Sequence, residues 1–471
     1  MIKVNDKLLQ KKIDAFYACG QGHVFRFWGD LNREQRDTLL SQIKQVDLEL
    51  MERLYDDWRK REQKGTSLPN LEPAEIITLD QRLKRDAEAR AIGEQALSAG
   101  KLAAFLVAGG QGSRLGFDGP KGAFRITPVK QKTLFQLHAE KIKALSLSYK
   151  TVIPWYIMTS QANHRQTVRF FEQQDYFGLE KANVVFFSQE MLPAMDKHGK
   201  LLLADKNRLF MSPNGHGGSI KALWDSGALA DMKRRNIAYL FYFQVDNALT
   251  RICDPAFIGY HILHESEMSG KVVRKRFPEE KMGVICKING KTGLVEYSDL
   301  DEKNMRAKES DGSLRFWAGS IATHVINVDF LWRENEQGFR LPYHFAEKAI
   351  PYVDEKGNPV KPEDKNGLKF ETFVFDALQD VRSTVTVEVE REEEFSALKN
   401  KEGLNSPKTV VEDLLRLYAR WLRSAGVDIP VNKTGLPAYN IEISPLFALE
   451  AEDVRKKRRQ IPQPHKNMYL E

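Results

Sequence analysis

The chain has 471 residues, of which 42% are hydrophobic and 29% charged, as is usual for a globular protein in water. This length exceeds what one simple core accommodates, so we expect two or three domains. The net charge of +7 arises from 71 Lys and Arg against 64 Asp and Glu, a mixed surface with a small surplus. Polyanionic small substrates explain that surplus at least as well as a nucleic acid does.

Three cysteines, Cys19, Cys253 and Cys286, are scattered along the chain and fit no metal-ligand spacing. We therefore expect reduced thiols and a cytoplasmic protein. The first residues lack the apolar core of a secretory signal, and the sequence contains no run of eighteen apolar residues. The sequence thus predicts no association with a membrane.

Residues 1–95 are predicted to form a helical N-terminal region. Between Asn32 and Trp58, leucine, isoleucine and valine recur at helical spacing with charged residues between them. Residues 64–75 contain glycine and prolines and are predicted to form a connection. A second helix follows, which we expect to end at Gly100.

Residues 96–380 are predicted to form an α/β domain, because short apolar runs alternate there with helical segments around a largely parallel sheet. The predicted strands are "LAAFLVAGG", "VIPWYIMTS", "NVVFFSQ" and "IAYLFYFQVDN". Ligands of such sheets bind at the carboxyl ends of the strands, where Gly109, Gln189 and Asp246 fall.

Residues 381–471 are predicted to form a small C-terminal α+β domain. A strand in "STVTVEVE" precedes a helix between Lys408 and Gly426. The basic stretch "RKKRRQ", Arg455–Gln460, is predicted to be a solvated tail.

The stretch "LVAGGQGSRLGFDGPKG", Leu106–Gly122, indicates a phosphate-binding turn. Its glycines are spaced G-x-G-x-x-x-G, one residue longer than the dinucleotide fingerprint, and it lacks the lysine of a P-loop. Bare backbone amides could approach phosphate oxygens closely, with Arg114 supplying a bidentate fork and Lys121 a point charge. The alternative is a tight strand-to-helix turn with two solvated basic residues.

Three further features support a nucleotide site, although each has a simpler alternative. Gln189 could read a base edge by paired hydrogen bonds or could be an exposed loop residue. Asp246 follows an apolar strand and suits a Mg²⁺ ligand, but it could equally cap a turn. A second glycine-rich turn, "NGHGG", surrounds His216 and precedes a helix.

Taken together, these motifs resemble the UTP-dependent sugar-1-phosphate uridylyltransferases (UDPGP type 1), and most of all the UDP-N-acetylglucosamine pyrophosphorylases. The resemblance extends from about residue 20 to beyond "EISPLF", Glu442–Phe447, and covers nearly the whole chain. The motifs that carry it occur in the family's order: "LVAGGQGSRLGFDGPKG", "FFSQEMLPAM", "SPNGHGG", "YFQVDN", "GLVEYSD", "LPYHFAEKAIPYVD", "NGLKFETFVFD" and "EREEEFSALKN".

The resemblance implies a central Rossmann-like (glycosyltransferase-A-like) mixed sheet that binds the nucleotide. It implies catalytic roles on the phosphates for Arg114, Lys121, Lys369 and Lys399, and a role for Asp246 as the Mg²⁺ ligand. The residues that it implies in nucleotide binding are Val107, Ala108, Gly109, Gly110, Lys121, Gln189, Gly215, Asp246 and Lys369. Those that it implies in sugar binding are His216, Glu296 and Ser320.

Two positions depart from the N-acetylhexosamine enzymes. They carry asparagine where this chain has His216, and "GNIANH" where it has "GSIATH" with Ser320 and Thr323. The "GHG" turn is similar to that of the UDP-glucose pyrophosphorylases. Both departures fall in the sugar pocket that the resemblance implies.

The reaction implied by the resemblance joins UTP and a sugar 1-phosphate, best N-acetylglucosamine 1-phosphate, to give a UDP-sugar and pyrophosphate with Mg²⁺. The alternatives are a glucose 1-phosphate uridylyltransferase and a non-catalytic nucleotide-binding homologue. A nucleic-acid binder has no zinc-finger or RRM signature in its favour. We expect a monomer or weak homo-oligomer, without nucleic-acid partners.

Overall fold

The computed structural model describes residues 2–64 and 70–471. The chain folds into two compact units, each assembled from three separate segments. Unit 1 comprises the described residues of 1–69 together with 189–219 and 341–374. Unit 2 comprises 70–188, 220–340 and 375–471. Unit 2 thus contains both the predicted α/β segment's sheet and the predicted C-terminal segment. The division into 1–95, 96–380 and 381–471 stays a prediction.

Helices occur throughout both units. In the described residues the α-helices are α1 Lys7–Ala18, α2 Arg33–Gln45, α3 Leu48–Lys64, α4 Leu79–Ser98, α5 Leu134–Tyr149, α6 His164–Gln173, α7 Gly218–Asp225, α8 Ala228–Arg234, α9 Pro255–Leu263, α10 Glu302–Met305, α11 Val328–Glu336, α12 Arg391–Glu394, α13 Pro407–Ser424 and α14 Ala451–Lys456.

The strands are mostly short. In the described residues they are β1 Leu71–Pro73, β2 Leu102–Val107, β3 Trp155–Thr159, β4 Val184–Ser188, β5 Met191–Pro193, β6 Met195–Asp196, β7 Leu203–Asp205, β8 Arg208–Leu209, β9 Met211–Pro213, β10 Tyr239–Gln244, β11 Met268–Arg274, β12 Val284–Ile288, β13 Lys291–Val295, β14 Ala318–Asn327, β15 His344–Lys348, β16 Tyr352–Val353, β17 Pro359–Val360, β18 Gly367–Glu371, β19 Thr386–Glu388, β20 Ile441–Ile443 and β21 Met468–Leu470.

Unit 2 is built around a mixed sheet with the strand order β1-β12-β14-β10-β2-β3-β4. The neighbours β10, β2, β3 and β4 run parallel, whereas β14 is antiparallel to β10 and β12 is antiparallel to β14. Strands β11, β13 and β19 join the sheet beside β14, β12 and β11. The prediction of an α/β fold with a mixed sheet is confirmed.

The parallel strands form because their sequences are continuous apolar runs. Every residue of β2 and of β3 is buried, as expected for strands covered on both faces. Helices α4, α5 and α9 contribute to the same core, with Leu97, Phe135 and Phe257 among its buried side chains. The predicted end of α4 is also found, since Gly100 adopts a φ of +66° just after the helix.

The C-terminal part of unit 2 packs in an apolar cluster around α13 that also includes Leu134 and Leu137 of α5. Leu414 and Leu422 of this helix are buried with Ile441 of β20 and Met468 of β21. The basic stretch is not a free tail, because α14 occupies 451–456 and Val454 is fully buried. Pairing of β21 with β20 holds the residues that follow, while the basic side chains remain largely exposed.

Unit 1 contains α1–α3 and several small antiparallel sheets, the largest of which has the order β15-β18-β6. The predicted helix between Asn32 and Trp58 is broken, because Val46 has an extended conformation and the Asp47 side chain accepts a hydrogen bond from the amide of Leu50. The predicted connection at 64–75 lies in part outside the described residues, and its described end contains β1.

The cysteines are all free thiols, as predicted. Among the helices of the described residues, none has both the length and the apolar character that crossing a bilayer requires.

Candidate functional site

The carboxyl ends of β2 and β10 lie side by side in unit 2. Val107 is paired with Gln244 in the parallel ladder, and the amide of Val245 donates to the carbonyl oxygen of Val107 at 3.2 Å. The glycine-rich turn that begins at Gly109 and the segment that contains Asp246 therefore leave the sheet at neighbouring positions. This is the edge at which open α/β sheets bind ligands.

The turn is closed on itself by backbone hydrogen bonds. The amide of Lys121 donates to the Gly110 oxygen at 3.1 Å, and the amide of Gly112 donates to the Gly119 oxygen at 2.9 Å. The buried Asn163 side chain donates to the oxygens of Ala108 and Gly110 at 2.9 and 3.3 Å. These contacts satisfy the carbonyl oxygens of Ala108, Gly110 and Gly119.

The amides at the start of the turn are left available. Within the described ranges, no protein acceptor is found for the backbone N–H groups of Gly109, Gly110 and Gln111. Gly109 is half-buried and Gly110 is exposed. Successive unpaired amides at a strand end form an anion-binding concavity.

Packing explains two other glycines of the turn. A Cβ atom at Gly112 would lie 2.9 Å from the Phe117 carbonyl oxygen, and one at Gly122 would lie 2.3 Å from the Phe135 ring. The amide access expected of a phosphate turn therefore applies at Gly109 and Gly110, whereas Gly112 and Gly122 are required by close contacts.

Lys121 and Asp246 face each other beside the turn. The Lys121 Nζ lies 3.6 Å from an Asp246 carboxylate oxygen, and the side chains are only 19% and 16% exposed. This separation is too long for a hydrogen bond, so neither group is saturated by the other. Arg114 is exposed on the same turn.

The Asp246 segment is fastened to residues 394–398. The amide of Leu398 donates to the backbone carbonyl oxygen of Asp246 at 2.9 Å. The Asn247 side chain donates to the backbone carbonyl oxygen of Glu394 at 2.7 Å and accepts from the amide of Ser396 at 2.9 Å. Lys399 follows directly and is exposed. The predicted residues 107–121, 246 and 399 are thus brought to one region of unit 2.

A further lysine lies at this turn that sequence reasoning missed. A Cβ atom built on Gly116 would be 3.8 Å from both Cδ and Cε of Lys401, so this side chain passes alongside the turn. In the sequence, Lys401 is marked out only by its position two residues after Lys399.

A buried ammonium group supports the Asp246 segment from inside unit 2. The fully buried Lys271 donates to Asp254 at 2.7 Å and to Glu394 at 2.5 Å. Burial opposes ionisation of Asp254, but the cations Lys271, Arg251 and Arg82 hold the pKa of its carboxyl below the ordinary value.

A second lysine contacts the residues after Asp246 directly. The Lys141 Nζ donates to the carbonyl oxygens of Ala248 at 2.7 Å and of Thr250 at 2.9 Å. Desolvation lowers the pKa of Lys141 to about 7, and the attraction of Glu394 only partly offsets it.

The predicted sugar-binding residues of unit 2 lie at another corner of the sheet. Glu296 follows Val295 of β13, which is paired with Val284 of β12, and Val284 is paired in turn with Gly319 of β14. Ser320 comes next, and its hydroxyl accepts a hydrogen bond from the amide of Ala322. Adjacent strands thus connect Glu296 and Ser320 across the sheet.

In unit 1, Gln189 is buried and its orientation is fixed. Its Nε2 donates to the Asn214 side chain at 3.3 Å and to the Gly215 oxygen at 3.2 Å. Across the described part of the chain, neither its Oε1 nor the amide of Gly215 has a hydrogen-bond partner. This leaves one acceptor and one donor close together.

The second glycine-rich turn packs on the backbone of residues 372–374. Gly215 has a φ of +81°, and a Cβ atom there would lie 2.3 Å from the Thr372 oxygen. His216 accepts a hydrogen bond at Nδ1 from the amide of Val374 at 3.1 Å and stacks on Phe373 with ring centroids 5.2 Å apart. The neutral ring therefore carries its proton on Nε2.

Lys369 lies on β18 of unit 1, two residues before Glu371. Its Nζ is 5.0 Å from the centroid of the Phe210 ring. Burial lowers the pKa of Lys369, whereas Glu371 opposes this change. Gln189, Gly215, His216 and Lys369 thus all belong to unit 1, and their ligand roles stay predictions.

No cluster of three or more His, Cys, Asp or Glu side chains that could hold a metal ion occurs among residues 2–64 and 70–471. A divalent ion bound by Asp246 would therefore take most of its ligands from phosphate oxygens and water. This is the usual mode for Mg²⁺ on nucleotides.

Comparison with known proteins identifies the family. The profile described as UTP–glucose-1-phosphate uridylyltransferase matches residues 49–416. The human UDP-N-acetylhexosamine pyrophosphorylase-like protein 1 is 37% identical over 92% of this chain and 92% of its own. The UDP-N-acetylglucosamine pyrophosphorylase of Saccharomyces cerevisiae is 37% identical over 87% of this chain and 90% of its own.

A solved structure agrees with these sequence relatives. The uridine diphosphate N-acetylglucosamine pyrophosphorylase from Trypanosoma brucei, in complex with an inhibitor, superimposes with a TM-score of 0.85 at 28% identity. The superposition covers 100% of this chain and 99% of that protein. The chain therefore belongs to the UTP–glucose-1-phosphate uridylyltransferase family.

Proposed function

We propose that this nucleotidyltransferase makes UDP-N-acetylglucosamine and pyrophosphate from UTP and N-acetylglucosamine 1-phosphate. The observation that carries the proposal is the pair Lys121 and Asp246 beside the unpaired amides of Gly109 and Gly110. The yeast and Trypanosoma relatives named above support the choice of sugar.

In the proposed reaction, an oxygen of the sugar phosphate attacks the α-phosphorus of UTP. The bond from that phosphorus to the bridging oxygen breaks, and its electron pair leaves with pyrophosphate. The attacking phosphate is already ionised near neutral pH, so no general base is needed. The obstacle is repulsion between two polyanions, which aligned cations and dipoles reduce.

The residues of the turn fit this task. The amides of Gly109 and Gly110 would hold phosphate oxygens, and Arg114 and Lys121 would neutralise charge on them. Because its contact with Asp246 is long, Lys121 can turn to a phosphate without breaking a strong hydrogen bond. Lys369 and Lys399 retain their proposed roles on the phosphates.

Asp246 suits the proposed Mg²⁺ site, since it offers a hard carboxylate oxygen at the carboxyl end of a strand. Mg²⁺, when bound, supplies positive charge to the phosphate oxygens. Asp246 itself would orient that ion relative to the turn, because a hydrogen bond from the Leu398 amide fixes its backbone carbonyl oxygen.

Gln189 and Gly215 suit recognition of uracil. Uracil presents one N–H donor between two carbonyl oxygens, and the free Oε1 of Gln189 and amide of Gly215 offer an acceptor and a donor for it. Val107 and Ala108 complete the proposed nucleotide-binding set. For the sugar we propose His216, Glu296 and Ser320.

The decisive experiment is pyrophosphate release with UTP, Mg²⁺ and a panel of sugar 1-phosphates. N-acetylglucosamine 1-phosphate is expected to give the highest kcat/KM. Failure to release pyrophosphate with every sugar phosphate would instead support a non-catalytic nucleotide-binding protein.

Glucose 1-phosphate is the second candidate substrate, and the fixed His216 ring favours it. With Nδ1 accepting from Val374, the neutral ring can act only as a donor at Nε2, whereas the asparagine amide of the N-acetylhexosamine enzymes can act as both a donor and an acceptor. We expect His216→Asn to shift the ratio of kcat/KM toward N-acetylglucosamine 1-phosphate by about tenfold, the scale of one hydrogen bond. An unchanged ratio would mean that His216 does not select the sugar.

Asp246→Asn is expected to raise the Mg²⁺ concentration needed for half-maximal turnover by at least tenfold, because an amide oxygen is a weaker ligand than a carboxylate. The measurement is a Mg²⁺ titration of initial rates at saturating UTP. Asp80→Asn, an exposed aspartate on α4 of the same unit, is the control. A normal Mg²⁺ response in Asp246→Asn would assign the metal to another ligand.

We further propose that the enzyme works in the cytoplasm, as a monomer or weak homo-oligomer. The three free thiols support a reducing compartment. Light scattering coupled to size-exclusion chromatography measures the oligomeric state directly.

A further inference from the structure

A cavity of about 250 Å³ lies within unit 2, apart from the turn at Gly109. Its walls come from α4, α5 and α13, from the chain between Ala248 and Pro255, and from residues 443–456. Ala248, the first of these wall residues after β10, lies only two residues after Asp246.

One side of the cavity is apolar. Leu137 and Leu145 of α5 and Leu417, Tyr418 and Trp421 of α13 line it, and all five side chains are otherwise buried. Two aromatic rings and three leucines form a surface suited to a flat apolar body.

The other side is polar, and its arginines are already neutralised. Arg90 and Arg251 each contact the carboxylate of Glu450 at 2.6 Å, and Arg90 also contacts Glu94 at 2.9 Å, so two carboxylates balance the two arginines. Neither arginine therefore needs a further anion.

Lys141 differs from these arginines. Its Nζ donates to the carbonyl oxygens of Ala248 and Thr250, and within the described ranges no carboxylate lies within 4 Å of it. An ammonium group has three donors, so one N–H is left over at the cavity wall, and the more distant Glu394 offsets the cost of the charge only in part. Lys141 is half-buried, and a charge that is partly removed from water is stabilised when an anion pairs with it.

We propose that this cavity binds a small organic anion whose one- or two-ring body packs on the α5 and α13 side chains and whose carboxylate pairs with Lys141. A cavity of roughly 150 Å³ lined by apolar side chains accepts benzene. The larger volume here accommodates two fused rings.

Occupancy of the cavity also changes the Asp246 segment. The same Nζ that receives the carboxylate holds the carbonyl oxygens two and four residues beyond Asp246. An anion that draws the ammonium group toward itself weakens those hydrogen bonds. Binding in the cavity and binding of Mg²⁺–UTP are therefore linked, and the link must be reciprocal. This second part rests on the proposed function.

The first test uses naphthalene-2-carboxylate as the probe, with binding to the full chain measured by isothermal titration calorimetry. Naphthalene-2-carboxamide has the same rings without the charge and is expected to bind at least tenfold more weakly. Undetectable binding of the carboxylate, or equal binding of the two compounds, overturns the proposal.

Variants localise the probe. Lys141→Gln keeps a donor for the carbonyl oxygens but removes the charge, and is expected to weaken carboxylate binding by tenfold or more. Ala448→Leu fills the cavity and is expected to abolish binding of both compounds. Lys143→Gln, on the same helix but outside the cavity wall, is the matched control.

Thermal unfolding confirms that each variant is folded. Unchanged affinity in folded Lys141→Gln and Ala448→Leu places the probe elsewhere and overturns the assignment.

The second test measures the affinity of the probe with and without Mg²⁺–UTP. A change of at least fivefold is expected, the lower end of ordinary coupling between sites. An unchanged affinity overturns the link to Asp246. The first test needs no nucleotide, so its result is independent of whether the proposed function is correct.

Discussion

Lys121→Ala is expected to lower the turnover of pyrophosphate release by about a hundredfold or more, the scale observed when one preorganised charge donor is lost. Lys121 is only 19% exposed and faces Asp246 across 3.6 Å. Its charge therefore acts in a partly water-excluded place, where it is screened less than on a surface. Its loss also leaves the Asp246 carboxylate without its nearest cation.

The measurement is the steady-state kcat and KM for UTP at saturating Mg²⁺. A loss mainly in kcat indicates a contact that strengthens in the transition state, whereas a loss mainly in KM indicates uniform binding of the nucleotide. Lys84→Ala removes an exposed lysine of α4 and serves as the control. Turnover close to that of the wild type in Lys121→Ala would remove this residue from the mechanism.

The sheet of unit 2 could be predicted because its strands are encoded locally. The runs at 102–107 and 239–243 are continuously apolar, and a buried parallel strand requires just that pattern. The position of Asp246 beside the glycine-rich turn followed from the same reasoning, since parallel strands end at one edge. Strand order was not encoded in this way, and the antiparallel β14 next to β10 was not foreseen from the pattern.

The supports of the site could not be predicted from the sequence. Asn163 satisfies the turn from 53 residues away, and Lys271 reaches Glu394 across 123 residues. Such contacts depend on tertiary packing, and a buried lysine in an apolar strand gives no sign of its partner. Gly112 illustrates the same limit, because glycine is required there by the close packing of Phe117 and not by contact with a ligand.

Lys271→Met is expected to lower the free energy of unfolding by about 3–5 kcal/mol, the usual cost of removing one partner from a buried ion pair. The change leaves the carboxylates of Asp254 and Glu394 in the interior without the ammonium group that both contact. Urea unfolding measures the effect. Lys287→Met breaks a surface pair with Glu75 in the same sheet and is expected to change stability far less, because water already solvates both groups.

A triple variant separates lost charge balance from lost packing. Lys271→Met combined with Asp254→Asn and Glu394→Gln removes all three charges while keeping similar shapes, so it should recover most of the stability lost in Lys271→Met. If the triple variant were as unstable as the single one, packing around Lys271 rather than charge balance would hold this region together. The Mg²⁺ dependence of the triple variant tests the effect on the site. Asn247 donates to the backbone carbonyl oxygen of Glu394 and not to its carboxylate. The Asp246 segment should therefore keep its position, and the Mg²⁺ dependence should stay normal, once the three charges are removed together. Recovery of stability without recovery of the Mg²⁺ response would mean that the charges themselves, and not only the backbone contacts, hold Asp246 in place.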